Sequence, residues 1–391
     1  KVNLHIPLKI ALYDANCTKQ MLQHNGELLS DVLNVTEKDQ VFEFHGIYGR
    51  PIPALLCDFS APVKLDYDYT TEQLLGLLKF ADNQFARWDA AQMLFTQELR
   101  RNVAHFQQGE AFEISPDVLT ALAHVLENYE QDIELATLIL TLPKDIEFAE
   151  SFKTIDPDGI AAAREFMLVQ IAEYLKEDLL RIYTHIRLED YRVTQEDIAL
   201  RAMRNLCLSY LAYTNLGNNV VQKHYNNANN MTDTLAALNM ATKAALPCRD
   251  TLLADFEQKW QHDGLVMDKW FALQATRPDE NVLEIVQALM DHPGFNFNNP
   301  NRLRSLVGSF ANHNLKAFHH ISGSGYRFLT DVLIRLNETN PQVAARLIEP
   351  LIRFSRFDAQ RQTLMKRALE RLSAVEDLSK DLFEKIEKAL Q

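Results

Sequence analysis

Glycine is scarce in this chain, with twelve in 391 residues, about 3% where ~7% is usual. Phosphate-cradling loops and serial tight hairpins depend on glycine for left-handed backbone, so its scarcity argues against both. Inside a helix, glycine costs about 1 kcal/mol relative to alanine, so the same scarcity favours long helices. Cysteine is scarcer still. Cys17, Cys57, Cys207 and Cys248 lie far apart and form no Cys-x-x-Cys pair, which excludes a disulfide framework and a zinc knuckle. Isolated thiols suit a reducing, cytoplasmic compartment. Cys207 and Cys248 fall in helical sequence with no paired histidine and read as inert buried thiols. No run approaches the ~18 apolar residues of a membrane-spanning helix, and no secretory leader is visible, so no membrane partner is expected. The chain opens on Lys1 inside strand-like sequence, which reads as a cut.

Positive charge is also in deficit, with 40 Lys+Arg against 53 Asp+Glu and a net charge of -13. Nucleic-acid binders draw their affinity from neutralising phosphates, so this balance argues against such a partner. The deficit is uneven. Asn296 to Gln391 carries 15 Lys+Arg, ten of them arginine, against 10 Asp+Glu, a net of +5. Arginine grips carboxylates with a planar fork that lysine lacks, although a solvated helical surface explains such a charge run equally simply.

Catalytic signatures are missing. No His-Glu-x-x-His occurs, the helical motif that aims two imidazoles at one zinc ion with a carboxylate beside its water. Gly-x-Ser-x-Gly and the P-loop are absent too. His313, His319 and His320 make the densest histidine cluster. Helical neighbours point about 100° apart, so His319 and His320 chelate poorly and are expected on the surface or in a loop. Gly323-Ser324-Gly325 reads as a loop entering a helix, with Ser322 or Ser324 as a cap.

What is present is a change of period near Thr70. Val2, Leu4, Ile6, Leu8, Ile10 and Leu12 alternate with more polar residues as a half-buried strand does, and Pro7 suggests an edge or a bulge. Val41–Phe44, Ala54–Cys57 and Val63–Tyr67 read as further strands around a Gly46/Gly49/Pro51/Pro53 turn region. Residues 1–67 are therefore expected to form a small β-sandwich domain, marginal alone and in need of a neighbour. Beyond Thr70 the spacing becomes helical. Phe85, Trp88, Met93, Leu99 and Phe106 mark one long helix. Met231, Leu235, Leu238 and Ala245 share a face interrupted by Thr242. Asn299-Pro300 and Asn340-Pro341 have the form of N-caps with proline at the first helical position. Roughly 17 to 20 helices are expected. No fixed repeat period emerges, so residues 68–391 are expected to be an irregular α-superhelical, solenoid-like domain, and the fold class is mainly α.

Gln342 and Arg346, at i and i+4, share a helical face with Glu349 one turn on, and Arg304 lies in a similarly capped helix. These groups could hold a carboxylate or a peptide backbone. On spacing alone, a solvated face with an Arg346–Glu349 pair is the simpler reading.

Several segments resemble the bacterial aminopeptidase N family of zinc-dependent alanyl aminopeptidases. They are RPIPALLC with FSAPVKL (Arg50 to Leu65), FARWDAAQ (Phe85 to Gln92), NNMTDTLAAL (Asn229 to Leu238), LPCRD (Leu246 to Asp250), GLVMDKWFALQAT (Gly264 to Thr276), NPNRLRSLVGSF (Asn299 to Phe310) and NPQVAARLIEPLIRF (Asn340 to Phe354). The resemblance covers nearly the whole chain. It implies the C-terminal portion of a metallo-aminopeptidase of broad specificity, with a β-sandwich bridging domain and a helical cap enclosing the substrate cavity. The zinc, its ligands and the residues gripping the substrate amine would lie in an upstream catalytic domain, so no metal ligand or catalytic residue is expected here. Peptide substrates and that upstream domain are the implied partners. The resemblance places Arg304, Gln342 and Arg346 on the cavity wall. A freestanding α-solenoid adaptor for peptides or proteins is the alternative.

Overall fold

The structure, a computed structural model, describes residues 3–188 and 190–391. Lys1 and Val2, where the expected alternation begins, lie outside the described residues.

The strand module is built on Ile6–Tyr13. Residues 6–9 pair antiparallel with Val32–Val35, so that Ile6 faces Val35. Residues 10–13 pair with Ile52–Leu55, and the last two also with Lys19–Gln20. Pro7 sits in the half that is paired on one side only, where a missing N–H is tolerated. A separate hairpin pairs Gln23–His24 with Glu27–Leu28. Its turn is Asn25-Gly26, with φ of 52° and 85°, the doubly positive geometry that Asn-Gly favours. Ile10, Leu12 and Leu22 form the core, with Leu8, Leu33, Phe44, Ile47 and Leu55 packed against it.

Two expected strands are corrected. Residues 41–44 and 63–67 form no ladder. Val41 is 92% exposed, and only Phe44 of its segment reaches the core. The third ends early: the strand is Ile52–Leu55, and Cys57–Phe59 turns in a short 3₁₀ segment.

Helix begins where the period changes. Thr70 caps Thr71–Phe80 in a reciprocal box: Gln73 N donates to its hydroxyl at 3.2 Å, and Thr70 N donates to Gln73 Oε1 at 3.0 Å. With this one, twenty-one α-helical segments occur among the described residues. They exceed expectation because some long periodic runs are broken into pieces of four or five residues.

The chain divides into two compact units. The first takes residues up to Arg101, Glu113–Pro143 and Thr194–Leu206, and the second takes Asn102–Phe112, Lys144–Val193 and Cys207–Gln391. In the first, Tyr13 donates to Asp82 ahead of helix Gln84–Gln108, and Lys19 pairs with Asp82 at 2.8 Å. In the second, Gly217–Asn227, Met231–Lys243, Arg249–Trp260, Gly264–Ala275 and Val282–Leu289 each pack on the next. Trp270 Nε1 donates to Leu253 O at 3.0 Å, tying two of them together. Thr242 is buried on the expected face and satisfies its hydroxyl on Leu238 O. Ala245 is not on that face, because the helix ends at Lys243 and Ala245 turns to φ 49°. No helix among the described residues is long and apolar enough to cross a membrane.

Candidate functional site

Arg304 and the Gln342/Arg346 pair sit on two Asn-Pro-initiated helices of the second unit. Asn299 accepts from Asn301 N at 3.0 Å, with Pro300 at the first position of Pro300–Leu303. Asn340 accepts from Val343 N at 3.2 Å at the start of Pro341–Leu347. The first helix then differs from expectation. Arg304–Gly308 is a π-turn before helix resumes at Ser309–His313, a local widening often found at functional positions. Gly308 lies where the two helices meet. A β-carbon there would stand 3.4 Å from Leu347 and 3.5 Å from the Arg304 Cβ.

The fold therefore brings Arg304 and helix Pro341–Leu347 together. Arg304, Gln342 and Arg346 are all exposed. Arg304 donates to Asn301 Oδ1 at 3.3 Å. Gln342 and Arg346 make no side-chain hydrogen bond or ion pair among the described residues. The expected Arg346–Glu349 pair is not formed, because Glu349 pairs with Lys385. Exposed and without side-chain partners, Gln342 and Arg346 can receive a carboxylate or a carbonyl without first breaking a bond, and Arg304 by giving up only its 3.3 Å contact with Asn301. Beneath them Arg302 is 6% exposed. It pairs with Asp268 at 3.0 Å, donates to Gly264 O at 2.9 Å and lies over the Phe271 ring.

The histidines differ from one another. His320 and His313 are exposed, but His319 is a core residue. It is 5% exposed, stacks on Phe357 with ring centroids 4.1 Å apart, and shares a 3.0 Å hydrogen bond with the Tyr326 hydroxyl. Burial, with help from the Arg361 charge, lowers its pKa to about 3, so it is a neutral packing group. The cap of helix Ser324–Thr339 is not the expected Ser322 or Ser324 but Gly323 in left-handed backbone, while the Ser322 hydroxyl accepts from Ser324 N at 3.3 Å. Cys57, Cys207 and Cys248 are buried, and burial raises the Cys207 thiol to about 12.

Two clusters in the first unit have no counterpart in the sequence reading. His24, Glu43 and His45 offer ligand atoms within 4.8 Å of one another. His24 comes from the Asn-Gly hairpin, and His45, whose N–H donates to Gln23 O, runs beside it. Two imidazoles and a carboxylate are a possible zinc donor set. Here, however, Asn25 N donates to His45 Nδ1 at 3.2 Å, which places the ring proton on Nε2, facing Glu43 at 3.1 Å. That bond lowers the Glu43 pKa. An ion held here would have to displace the proton of that His45–Glu43 bond.

The second cluster is a cavity of about 580 Å³ lined by Leu56, Phe59, Val63, Leu65, Phe85, Trp88 and Met93, with Lys64 and Asp89 as its ionisable members. Burial raises the Asp89 pKa to about 6. Its carboxylate makes no hydrogen bond or ion pair among the described residues. Phe85, Trp88 and Met93 belong to the expected long helix, Gln84–Gln108, yet they are only half-buried. That helix buries Leu94, Phe95, Leu99 and Val103 instead.

The family described as "Domain of unknown function (DUF3458_C) ARM repeats" matches residues 71–391, and that described as "Domain of unknown function (DUF3458) Ig-like fold" matches residues 1–68. The fold is thus mainly α, a helical-repeat region preceded by a small β-sandwich. Aminopeptidase N of Haemophilus influenzae is 89% identical over 391 residues, which is all of this chain and 45% of that protein. Aminopeptidase N of Escherichia coli is 51% identical, again over the whole chain and 45% of its own length. The Caulobacter vibrioides enzyme of the same name is 33% identical over 95% of this chain and 43% of its own. A crystal structure of Legionella pneumophila aminopeptidase A in complex with aspartic acid superposes with a TM-score of 0.87 at 28% identity, covering 99% of this chain and 45% of that one. The chain spans less than half the length of these relatives.

Proposed function

The chain belongs to the DUF3458 family, here represented by aminopeptidases N, and from that premise we propose that it is the C-terminal, non-catalytic portion of a zinc aminopeptidase. The observation that carries this reading is the end-to-end match to aminopeptidase N relatives of which it spans 45%. In this reading residues 1–67 bridge to an upstream catalytic domain and residues 68–391 cap its active site, enclosing a cavity for peptides. The reaction is release of N-terminal residues with broad specificity, in the cytoplasm. The zinc belongs to the upstream domain, where it activates the water that attacks the scissile carbonyl. One feature supports that placement: no His-Glu-x-x-His occurs here.

Arg304, Gln342 and Arg346 form the cavity wall and meet the distal part of the peptide. Arg346→Ala in the full enzyme is expected to raise KM for longer peptides several-fold and to leave single-residue chromogenic substrates nearly unchanged. Equal loss of kcat on both substrate types would contradict the wall role. The reading as a whole is tested by expressing this chain alone and beside the upstream half. The reunited halves should bind zinc and cleave an aminoacyl anilide. If the upstream half adds no hydrolysis while this chain alone binds a defined protein tightly, the adaptor alternative holds.

A further inference from the structure

The cavity at the start of helix Gln84–Gln108 combines aromatic faces with one carboxylate. Phe59, Phe85 and Trp88 form a continuous aromatic run along it, with ring centroids 5.5 and 5.6 Å apart. Phe59 is 53% exposed, so the run reaches the surface. It is presented by strained backbone. Leu56, Asp58 and Phe59 all adopt positive φ, at 59°, 54° and 50°, a conformation side chains disfavour and which persists only where the surroundings enforce it. The enforcement is visible: Lys9 Nζ holds Asp58 at 2.7 Å and Asn83 Nδ2 holds it at 2.5 Å. The turn is fixed with an aromatic ring facing outward.

Asp89 stands in this apolar wall. A half-buried carboxylate without a partner is unfavourable unless something neutralises it. Lys64 lines the same cavity but makes no ion pair with Asp89, and burial is the only influence that moves the Asp89 pKa. The other titratable group near it is the buried phenol of Tyr69. Aromatic faces attract cations, and a guanidinium can stack on a ring while forking onto a carboxylate.

We propose that this cavity receives an arginine side chain from a protein partner, its aliphatic stem against Leu56, Val63 and Met93, its guanidinium on the Phe59–Phe85–Trp88 run and paired with Asp89. The partner is the remaining polypeptide of the longer enzyme, since the relatives carry more than half their length outside the part matched here. That identification rests on the functional reading above.

The test has two arms. In the first, the 391-residue chain is titrated with N-acetyl-arginine amide and with its neutral isostere N-acetyl-citrulline amide, following the Trp88 indole NMR resonance, which Trp88→Phe identifies. The arginine probe should shift it saturably and the citrulline probe should bind at least ten-fold more weakly. Asp89→Asn should bring arginine down to the citrulline level while the Trp260 and Trp270 resonances stay unmoved, reporting an intact fold. Equal response to both probes, no response to arginine, or indifference to Asp89→Asn overturns the cation site. In the second arm, Asp89→Asn should weaken association of this chain with the upstream half at least ten-fold. Unchanged association overturns the partner assigned here. Failure of even the wild-type halves to associate would overturn that partner together with the functional reading, while the probe titration still decides the cation site by itself.

Discussion

Asp89 keeps a carboxylate half-buried among aromatic rings, and the energetic cost has a definite sign. Its pKa, raised by burial to about 6, exceeds the ~3.9 of an unfolded aspartate. The folded state therefore binds the proton more tightly. The stability this provides is fully present below about pH 4 and is lost as pH rises through about 6. Full conversion of the shift would give about 3 kcal/mol, but solvent reaches the group, so the effect should be on the order of 1 kcal/mol. Asp89→Asn is thus expected to stabilise the chain by about that much at pH 7.5 and to be nearly neutral at pH 4, read from urea midpoints. A variant less stable than wild type at pH 7.5 would show that the charged carboxylate has a partner. The residue was not legible in advance as a site. Helical spacing marks Phe85, Trp88 and Met93 as apolar, but only the fold shows that they face a cavity while Leu94, Phe95 and Leu99 face the core.

Single elements were readable where the determining contacts are local. Asn299 and Asn340 cap the helices their Asn-Pro sequence announces, because a cap is satisfied within three residues. Asn340→Ala should therefore cost about 1 kcal/mol, measurable as a shift of the denaturation midpoint. The strands at 41–44 and 63–67 were misread, because alternation describes a segment and a ladder needs a partner that only the fold supplies. The Asn25-Gly26 turn is a local hairpin signal, but its strands are only two residues long and show no alternation. The π-turn at Arg304–Gly308 left no local mark. It is tied to packing at Gly308 against Leu347, a residue far along the chain. At Gly325 the constraint is steric. A β-carbon would stand 2.3 Å from Phe318 O, so Gly325→Ala should destabilise by about 1–3 kcal/mol, and a neutral result would mean that the Phe318 carbonyl is free to move.

At the scale of the whole molecule, the second unit is closed by contacts between segments some two hundred residues apart. Arg361 is 6% exposed and donates to Asp158 and to Asp358, at 2.6 and 2.8 Å, and to His319 O at 2.6 Å. Ile155 N donates to Arg356 O at 2.7 Å in a parallel bridge beside it. Arg353 and Arg356 both engage Glu150 and hold its pKa down, Arg353 chiefly. Stability from that pairing is present above the unfolded glutamate pKa and is lost as pH falls. Arg361→Ala should cost about 2–3 kcal/mol, the range for hydrogen bonds to charged groups, in chemical denaturation of the purified chain. Apart from the i, i+3 pair of Asp358 with Arg361, these closures could not be read from spacing, since they join residues far apart in the chain. Fold class is legible from the change of period alone, whereas the resemblance to aminopeptidases N rests on whole segments of sequence and not on a catalytic motif. The most direct measurement is zinc content and aminoacyl-anilide turnover of the purified 391-residue chain, alone and recombined with the upstream half. The account predicts neither tight zinc nor turnover for the chain alone, and both after recombination. Stoichiometric zinc with full turnover in the isolated chain would contradict it.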